Sequence, residues 1–192
     1  MRALIVVDFQ NDFITGSLGT PEATSIVSRV KNLVLGGGYD VVAFTKDTHY
    51  EGYLETGEGK LLPVEHCVAG TRGHDIYEDL DRAFPGIYVV EKETFGSEVL
   101  VNLIENRALY YAKWYVLDGL DIDIVGLCTD ICVVANALLL KTRLYRTANI
   151  NIIADCCAGT TPEKHEAALS VLESCQVNVV RRDGSHIERL GN

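Results

Sequence analysis

Six short runs of β-forming residues recur along the chain, and segments of helical period separate them. The runs are Ala3 to Val7, Asp40 to Thr45, Ile87 to Val90, Ile122 to Leu127, Asn149 to Ala154 and Val177 to Val180. Between them, Pro21-Glu22 opens a helix whose Ile26, Val30, Leu33 and Val34 keep helical spacing until Gly36-Gly-Gly38 stops it. Further helices are predicted over Ile76 to Phe84 (a short one), from Gly96-Ser97 to about Arg107, from Ile131 to about Leu144, and from Thr161-Pro-Glu163 to about Ser174. Strands alternating with helices predict an α/β fold in which a parallel sheet is covered on both faces. With no linker or internal repeat, residues 1–192 read as a single domain. The aromatic, apolar stretch Ala108 to Leu117 fits a helix extension, a strand or an interface patch, and it makes a homo-oligomer plausible.

In such sheets ligands bind outside the carboxyl ends of the strands. Reactive residues gather where that rule puts them. Asp8 ends the first strand, Asp47 and His49 the second, Lys92 the third, and Cys132 follows the fourth. The stretch Ile124 to Asn136 breaks at Cys128-Thr-Asp130, where Thr129 and Asp130 are good helix-capping residues, which predicts a strand-to-helix turn with Cys132 in the first helical turn. Unpaired amides and the positive end of the helix dipole would stabilise a thiolate there. The plainer alternative is a small apolar residue packed under a turn. Asp8, desolvated at a strand end, suits proton transfer, and Lys92 would hold the acid and the thiol electrostatically. Together they suit acyl transfer through a covalent intermediate.

Asp47-Thr-His49 points a carboxylate and an imidazole the same way if extended, a reasonable pair of ligands for zinc, iron or manganese. His66 would complete a three-ligand set, with Glu58 as a further ligand. Ordinary polar loop residues would look the same, and His74, His165 and His186 are read that way. The 24 residues from Tyr50 to Gly73 have little periodicity, and a loop of that length usually carries function.

Charge narrows the partners. Seventeen basic against 27 acidic residues give a net charge of −10, which repels nucleic acid and anionic membranes. No apolar run is long enough to span a bilayer, and the N-terminus carries no signal-peptide pattern. Six cysteines without CxxC spacing read as reduced thiols, hence a cytoplasmic protein.

Five motifs in order, Asp8-Phe-Gln-Asn-Asp-Phe13, Asp47-Thr-His49, Pro63-Val-Glu-His-Cys-Val-Ala-Gly-Thr71, Glu91-Lys-Glu-Thr-Phe-Gly-Ser97 and Gly126-Leu-Cys-Thr-Asp-Ile-Cys132, resemble the isochorismatase-like cysteine hydrolases, and among them the nicotinamidases. The resemblance implies a three-layer α/β/α fold with a six-stranded parallel sheet in the order 3-2-1-4-5-6. It implies a triad of Asp8, Lys92 and Cys132, a non-proline cis peptide at Leu127–Cys128, and an oxyanion hole from the backbone amides of Cys128 and Cys132. It places one divalent metal, zinc foremost with iron or manganese as alternatives, on Asp47, His49, His66 and the additional Glu58. It implies a small-molecule amide substrate, nicotinamide, in a pocket with Phe13, Leu127 and Phe95. Three features depart from the nicotinamidase pattern: Leu61-Leu62 stands where a tryptophan often precedes the metal-loop proline, one extra residue separates Pro63 from His66, and Thr94-Phe-Gly-Ser97 replaces the more usual Tyr-Ser-containing segment after the lysine. Rival readings are an amidase for ureido or N-carbamoyl compounds, an isochorismate hydrolase, and a silent binding protein of the same fold.

Overall fold

The computed structural model describes residues 1–111 and 119–181. Six parallel strands form one sheet in the order β3-β2-β1-β4-β5-β6: β1 (Arg2–Val7), β2 (Val41–Asp47), β3 (Tyr88–Lys92), β4 (Leu120–Leu127), β5 (Ala148–Ala158) and β6 (Asn178–Val180). Helix α1 (Pro21–Gly36) covers one face. Helices α2 (Glu98–Tyr111), α3 (Val134–Arg143) and α4 (Pro162–Ser174) cover the other. Strands alternating with helices, buried on both sides, are what the repeated apolar runs predicted.

Local chemistry sets the helix starts. Thr20 caps α1 by accepting the Ala23 amide, Thr161 caps α4 by accepting that of Lys164, and a proline follows each cap. The spacing of Ile26, Val30 and Val34 turns one stripe of α1 into the core with Leu4, Val6 and Phe44. The other core joins Ile5, Ile122 and Ile124 to Leu100 and Ile104 of α2, Leu140 of α3, and Leu169 and Leu172 of α4. Central β1 is fully enclosed from Ala3 to Val7, so Asp8 is delivered into the interior rather than to the surface.

Three local expectations need correction. The segment after β4 does not enter an α-helix at Thr129 or Asp130: Cys128 is the extended cap, Thr129–Val133 is a single wide π-type turn, and the α-helix begins at Val134. The side chains of Thr129 and Asp130 bond elsewhere, which removes them as caps. The loop from Tyr50 to Gly73 contains two short helical turns, Tyr53–Glu55 and Gly57–Leu61, the second capped by Thr56 accepting the Gly59 amide. Strand β5 runs on to Ala158, since Cys156, Cys157 and Ala158 are all buried against the sheet. Of the stretch Ala108 to Leu117, the first four residues finish α2, and the rest lies outside the described residues, as does His186.

Gly126 sets how closely the two site-bearing strands approach. It pairs with Val7, has φ +116°, and a β-carbon built on it would lie 2.1 Å from the Val7 carbonyl oxygen. Gly126→Ala is therefore expected to destabilise the fold by about 3 kcal/mol or more, through backbone collision plus a disfavoured φ. Urea unfolding of the two proteins checks this, and an unchanged midpoint would contradict it.

Candidate active site

The carboxyl ends of β1, β2 and β3 and the turn after β4 converge on one buried cluster. Asp8 takes a left-handed backbone conformation with φ +45° and is wholly buried. Thr45 of β2 holds it from both sides, accepting the Asp8 amide at 3.1 Å and donating its hydroxyl to Asp8 Oδ1 at 2.6 Å. Lys92 Nζ lies 2.7 Å from Asp8 Oδ2, 3.5 Å from Cys132 Sγ and 3.3 Å from Asp47 Oδ1. One ammonium thus touches the acid, the thiol and a second carboxylate. The Leu127–Cys128 peptide before the turn is cis.

Burial governs the protonation states. It pushes the Asp8 carboxyl above its usual range, against the opposing charge of Lys92. It also pushes the Cys132 thiol well up, with the Asp8 charge adding to it and Lys92 opposing. Burial thus favours the neutral thiol, against the pull toward thiolate of a helix start and a nearby lysine. Burial would lower the Lys92 pKa, but the Asp8 and Asp47 carboxylates raise it further, so the amine stays charged.

Asp47, His49 and His66 form a second cluster beside the first, their donor atoms within 4.8 Å of one another and all three buried. His49 Nε2 stands 3.1 Å and His66 Nε2 3.6 Å from Asp47 Oδ2. His66 Nδ1 is engaged by the Val64 carbonyl at 2.8 Å, which leaves Nε2 to face the cluster as a ligand nitrogen. Two imidazole nitrogens and a carboxylate suit a borderline divalent metal, so the residues fit the group the sequence implied. Glu58 stays outside the trio but close enough for its charge to raise the pKa values of His66 and Tyr53. Burial opposes ionisation of Asp47, but hydrogen bonds from both histidines and the Lys92 charge hold it well below the usual carboxylate range.

Aromatic rings wall this cluster. Phe13 meets the His66 ring edge-on at 5.6 Å, and buried Tyr53 lies 4.5 Å from the ring of His49 and 5.0 Å from that of His66. Leu127 is buried in the core shared with Phe9 and Phe44. Phe95 is half exposed on the loop after β3. A cavity of about 920 Å³ opens between that loop and Ala135, Leu138 and Leu139 of α3. Of Asp8, Lys92 and Cys132, only Lys92 lies on its wall.

The family model for the isochorismatase domain matches residues 2–183. The chain belongs to the isochorismatase family. Its relatives include the nicotinamidase/pyrazinamidase of Mycobacterium tuberculosis, 27% identical over 186 residues that cover 94% of this chain and 98% of that protein. Among solved structures, the pyrazinamidase of Pyrococcus horikoshii in complex with zinc superposes with a TM-score of 0.74 at 26% identity, covering 94% and 99% of the two chains. The N-carbamoylsarcosine amidase of Thermoplasma acidophilum does so with a TM-score of 0.73 at 26% identity, covering 98% and 99%.

Several residues that build this isochorismatase-family site were not legible as such. Thr45 is an unremarked hydroxyl in an apolar strand. Asn136 is fully buried; its amide donates to Cys132 O at 2.8 Å and Phe95 O at 3.1 Å, and its oxygen accepts the Ser97 amide at 3.0 Å. A lone polar residue inside the apolar run Ile131 to Leu140 was the available signal, because such a group must find partners. Gln10, also fully buried, accepts the Asp47 amide and donates to the Asp47 and His74 carbonyls, carrying the pairing of β1 with β2 past the strand end. His74, set aside as a surface residue, is buried and lies 2.9 Å from Thr48 Oγ1.

A divalent metal held by Asp47, His49 and His66 would carry a pH signature. Burial disfavours protonated His66, but its bonds to Asp47 and Val64 outweigh this and raise its pKa above the ordinary 6.5. Metal must then displace a proton at and somewhat above that pH. Apparent zinc affinity is expected to fall about tenfold per pH unit on the acid side, the fall beginning above pH 6.5. Chelator competition across about pH 5 to 8 measures this, and a flat profile would rule the linkage out.

Proposed function

We propose that this isochorismatase-family protein is a cysteine amidohydrolase that converts nicotinamide to nicotinate and ammonia. The observation that carries this reading is the junction made by Lys92, which touches both Asp8 with Cys132 and the carboxylate of an Asp-His-His cluster. The first set suits amide cleavage; the second suits holding a ring nitrogen. The nicotinamidase/pyrazinamidase relative and the zinc complex of the pyrazinamidase neighbour support the same assignment.

Asp8, held beside the Lys92 ammonium, takes the proton from the Cys132 thiol as sulfur attacks the carboxamide carbon. The backbone amides of Cys128 and Cys132 are assigned to the oxyanion. The C–N bond breaks as Asp8 returns the proton to the departing nitrogen, which leaves as ammonia, and a thioester remains on Cys132. Water, deprotonated by Asp8, attacks that thioester; nicotinate leaves and the thiol is restored. Lys92 stays charged throughout and keeps Asp8 and the sulfur in place. Asp47, His49 and His66, with Glu58 nearby, would hold one divalent metal, which when bound supplies a Lewis acid to orient and polarise the ring. Phe13 is assigned to the ring pocket, with Leu127 and Phe95 as further members. Six free thiols, the nucleophile among them, fit a reducing compartment such as the cytoplasm.

A ureido or N-carbamoyl substrate is the second reading, favoured by the likeness to an N-carbamoylsarcosine amidase. The experiment is ammonia release by metal-loaded and chelated protein from nicotinamide, pyrazinamide and N-carbamoylsarcosine. Release from the two ring amides that drops on chelation is expected. Release from N-carbamoylsarcosine alone would sink the nicotinamide reading and install the second.

A further inference from the structure

Both histidines of the metal cluster hang on the backbone of one residue, Cys67. Its carbonyl accepts the His49 amide at 3.0 Å, and it directly follows His66. Around this point His49 and Val68 make a parallel bridge, and the Ala69 amide returns to the His49 carbonyl at 2.8 Å. Cys67 also has φ +47°, a left-handed conformation that a side chain with a β-carbon rarely adopts, and it is completely buried. Something must hold it there.

The Cys67 amide donates to Asp12 Oδ2 at 2.8 Å. The Asp12 carboxylate is itself confined. Its other oxygen lies 3.4 Å from the Ser17 amide, and the Asp12 amide donates to the Gly73 carbonyl at 3.1 Å. Two glycines give it room. A β-carbon on Gly73 would lie 2.0 Å from Asp12 Oδ2, and one on Gly16 would lie 2.3 Å from Oδ1. The slot therefore accepts this carboxylate only while both positions lack side chains. Asp12 is on the turn after β1, far in sequence from the loop it holds, so it joins the strand bearing Asp8 to the loop bearing His66.

We propose that Asp12 is a positioning residue for the metal centre: its carboxylate fixes the left-handed Cys67, and through that peptide sets His66 and His49 together against Asp47. This rests on the metal reading above. A hydrogen-bond acceptor, rather than negative charge, is what the geometry asks of Asp12.

The test uses the full-length protein, stripped of metal and titrated with zinc against a chromophoric chelator, and the visible spectrum of its cobalt form. Asp12→Ala is expected to weaken zinc binding about 10- to 100-fold and to change the cobalt bands, which report ligand geometry. Asp12→Asn keeps an acceptor for the Cys67 amide and is expected within a few-fold of wild type, with wild-type cobalt bands. Gly73→Ala leaves the carboxylate in the sequence but invades its slot, and should weaken zinc binding as Asp12→Ala does. Folded Asp12→Ala protein, by circular dichroism, that binds zinc as tightly as wild type with an unchanged cobalt spectrum would overturn the proposal. Should Asp12→Ala not fold, wild-type behaviour of Gly73→Ala overturns it instead. Wild-type protein that takes up neither metal sinks the metal reading and this proposal together, an outcome distinct from variants that bind normally.

Discussion

Cys132→Ala is expected to reduce ammonia release from nicotinamide by at least about 10⁴-fold, with little change in stability. In the proposed mechanism the sulfur forms the covalent bond, while the neighbouring Lys92 amine is held protonated. Cys128 is the nearest test of that statement. Burial, with the Asp130 and Asp8 charges adding to it, pushes its thiol up to about 12, and Lys92 opposes only weakly. It contributes its backbone amide in the proposed mechanism, so Cys128→Ala should keep most activity while Cys132→Ala keeps almost none. Stability should barely move in the latter, since a small, well-packed side chain loses only its sulfur. The measurement is steady-state ammonia production by both variants beside urea unfolding. Equal activity of Cys132→Ala and wild type would remove the thioester route altogether.

Lys92→Met should be the most damaging substitution for the fold among the site residues. It removes the cation from a pocket in which Asp8 and Asp47 are both buried, leaving two carboxylates without their shared partner. Breaking a buried ion pair by deleting one member costs about 3 to 5 kcal/mol, because the remaining charge stays desolvated. Methionine fills most of the volume, so the loss reports charge rather than a cavity. The sign with pH follows from the shifts. Without Lys92 the Asp8 carboxyl rises further, so the folded form takes up a proton more readily than the unfolded chain. The variant should therefore recover stability as pH falls toward the ordinary carboxylate value of 3.8, and lose it as pH rises. Metal bound at Asp47 would restore part of the missing positive charge. Unfolding of Lys92→Met at several pH values, with and without zinc, checks these statements together. A variant as stable as wild type at neutral pH would show that the lysine is not the counter-charge of the cluster.

Much of this arrangement was legible because its determinants are local. Alternating apolar runs with helix stops give the parallel sheet, and polar residues at the ends of the first three strands mark the candidate reactive edge. Asp8, Asp47, Lys92 and Cys132 could be found that way since strand ends must converge in a parallel sheet. What stayed hidden depends on contacts distant in sequence or on backbone geometry. Nothing in the sequence around Thr45 announces that its hydroxyl cradles Asp8, 37 residues away. Capping preference pointed to Thr129 and Asp130, yet both are engaged by other elements: Thr129 Oγ1 lies 2.8 Å from His165 Nδ1, and Asp130 accepts the amide and hydroxyl of Thr160. Those tertiary bonds overrode a local preference worth about 1 kcal/mol. The elevated thiol was missed for a related reason. A helix dipole and a lysine are visible in sequence, whereas the depth of burial that outweighs them is not.

The amide of Asn136 has a bearing on how such a site can change over time. It bridges the carbonyl of Cys132 to the loop that carries Phe95 and borders the cavity, so the two parts share a buried connector. A loop remodelled to admit a different side group must still present a carbonyl and an amide to Asn136. Otherwise it leaves an unpaired polar group beside Cys132, costing about 1 to 3 kcal/mol. Loop shape and the placement of Cys132 are therefore mechanically tied in this chain, and loop grafting that ignores residue 136 would alter the second while aiming at the first.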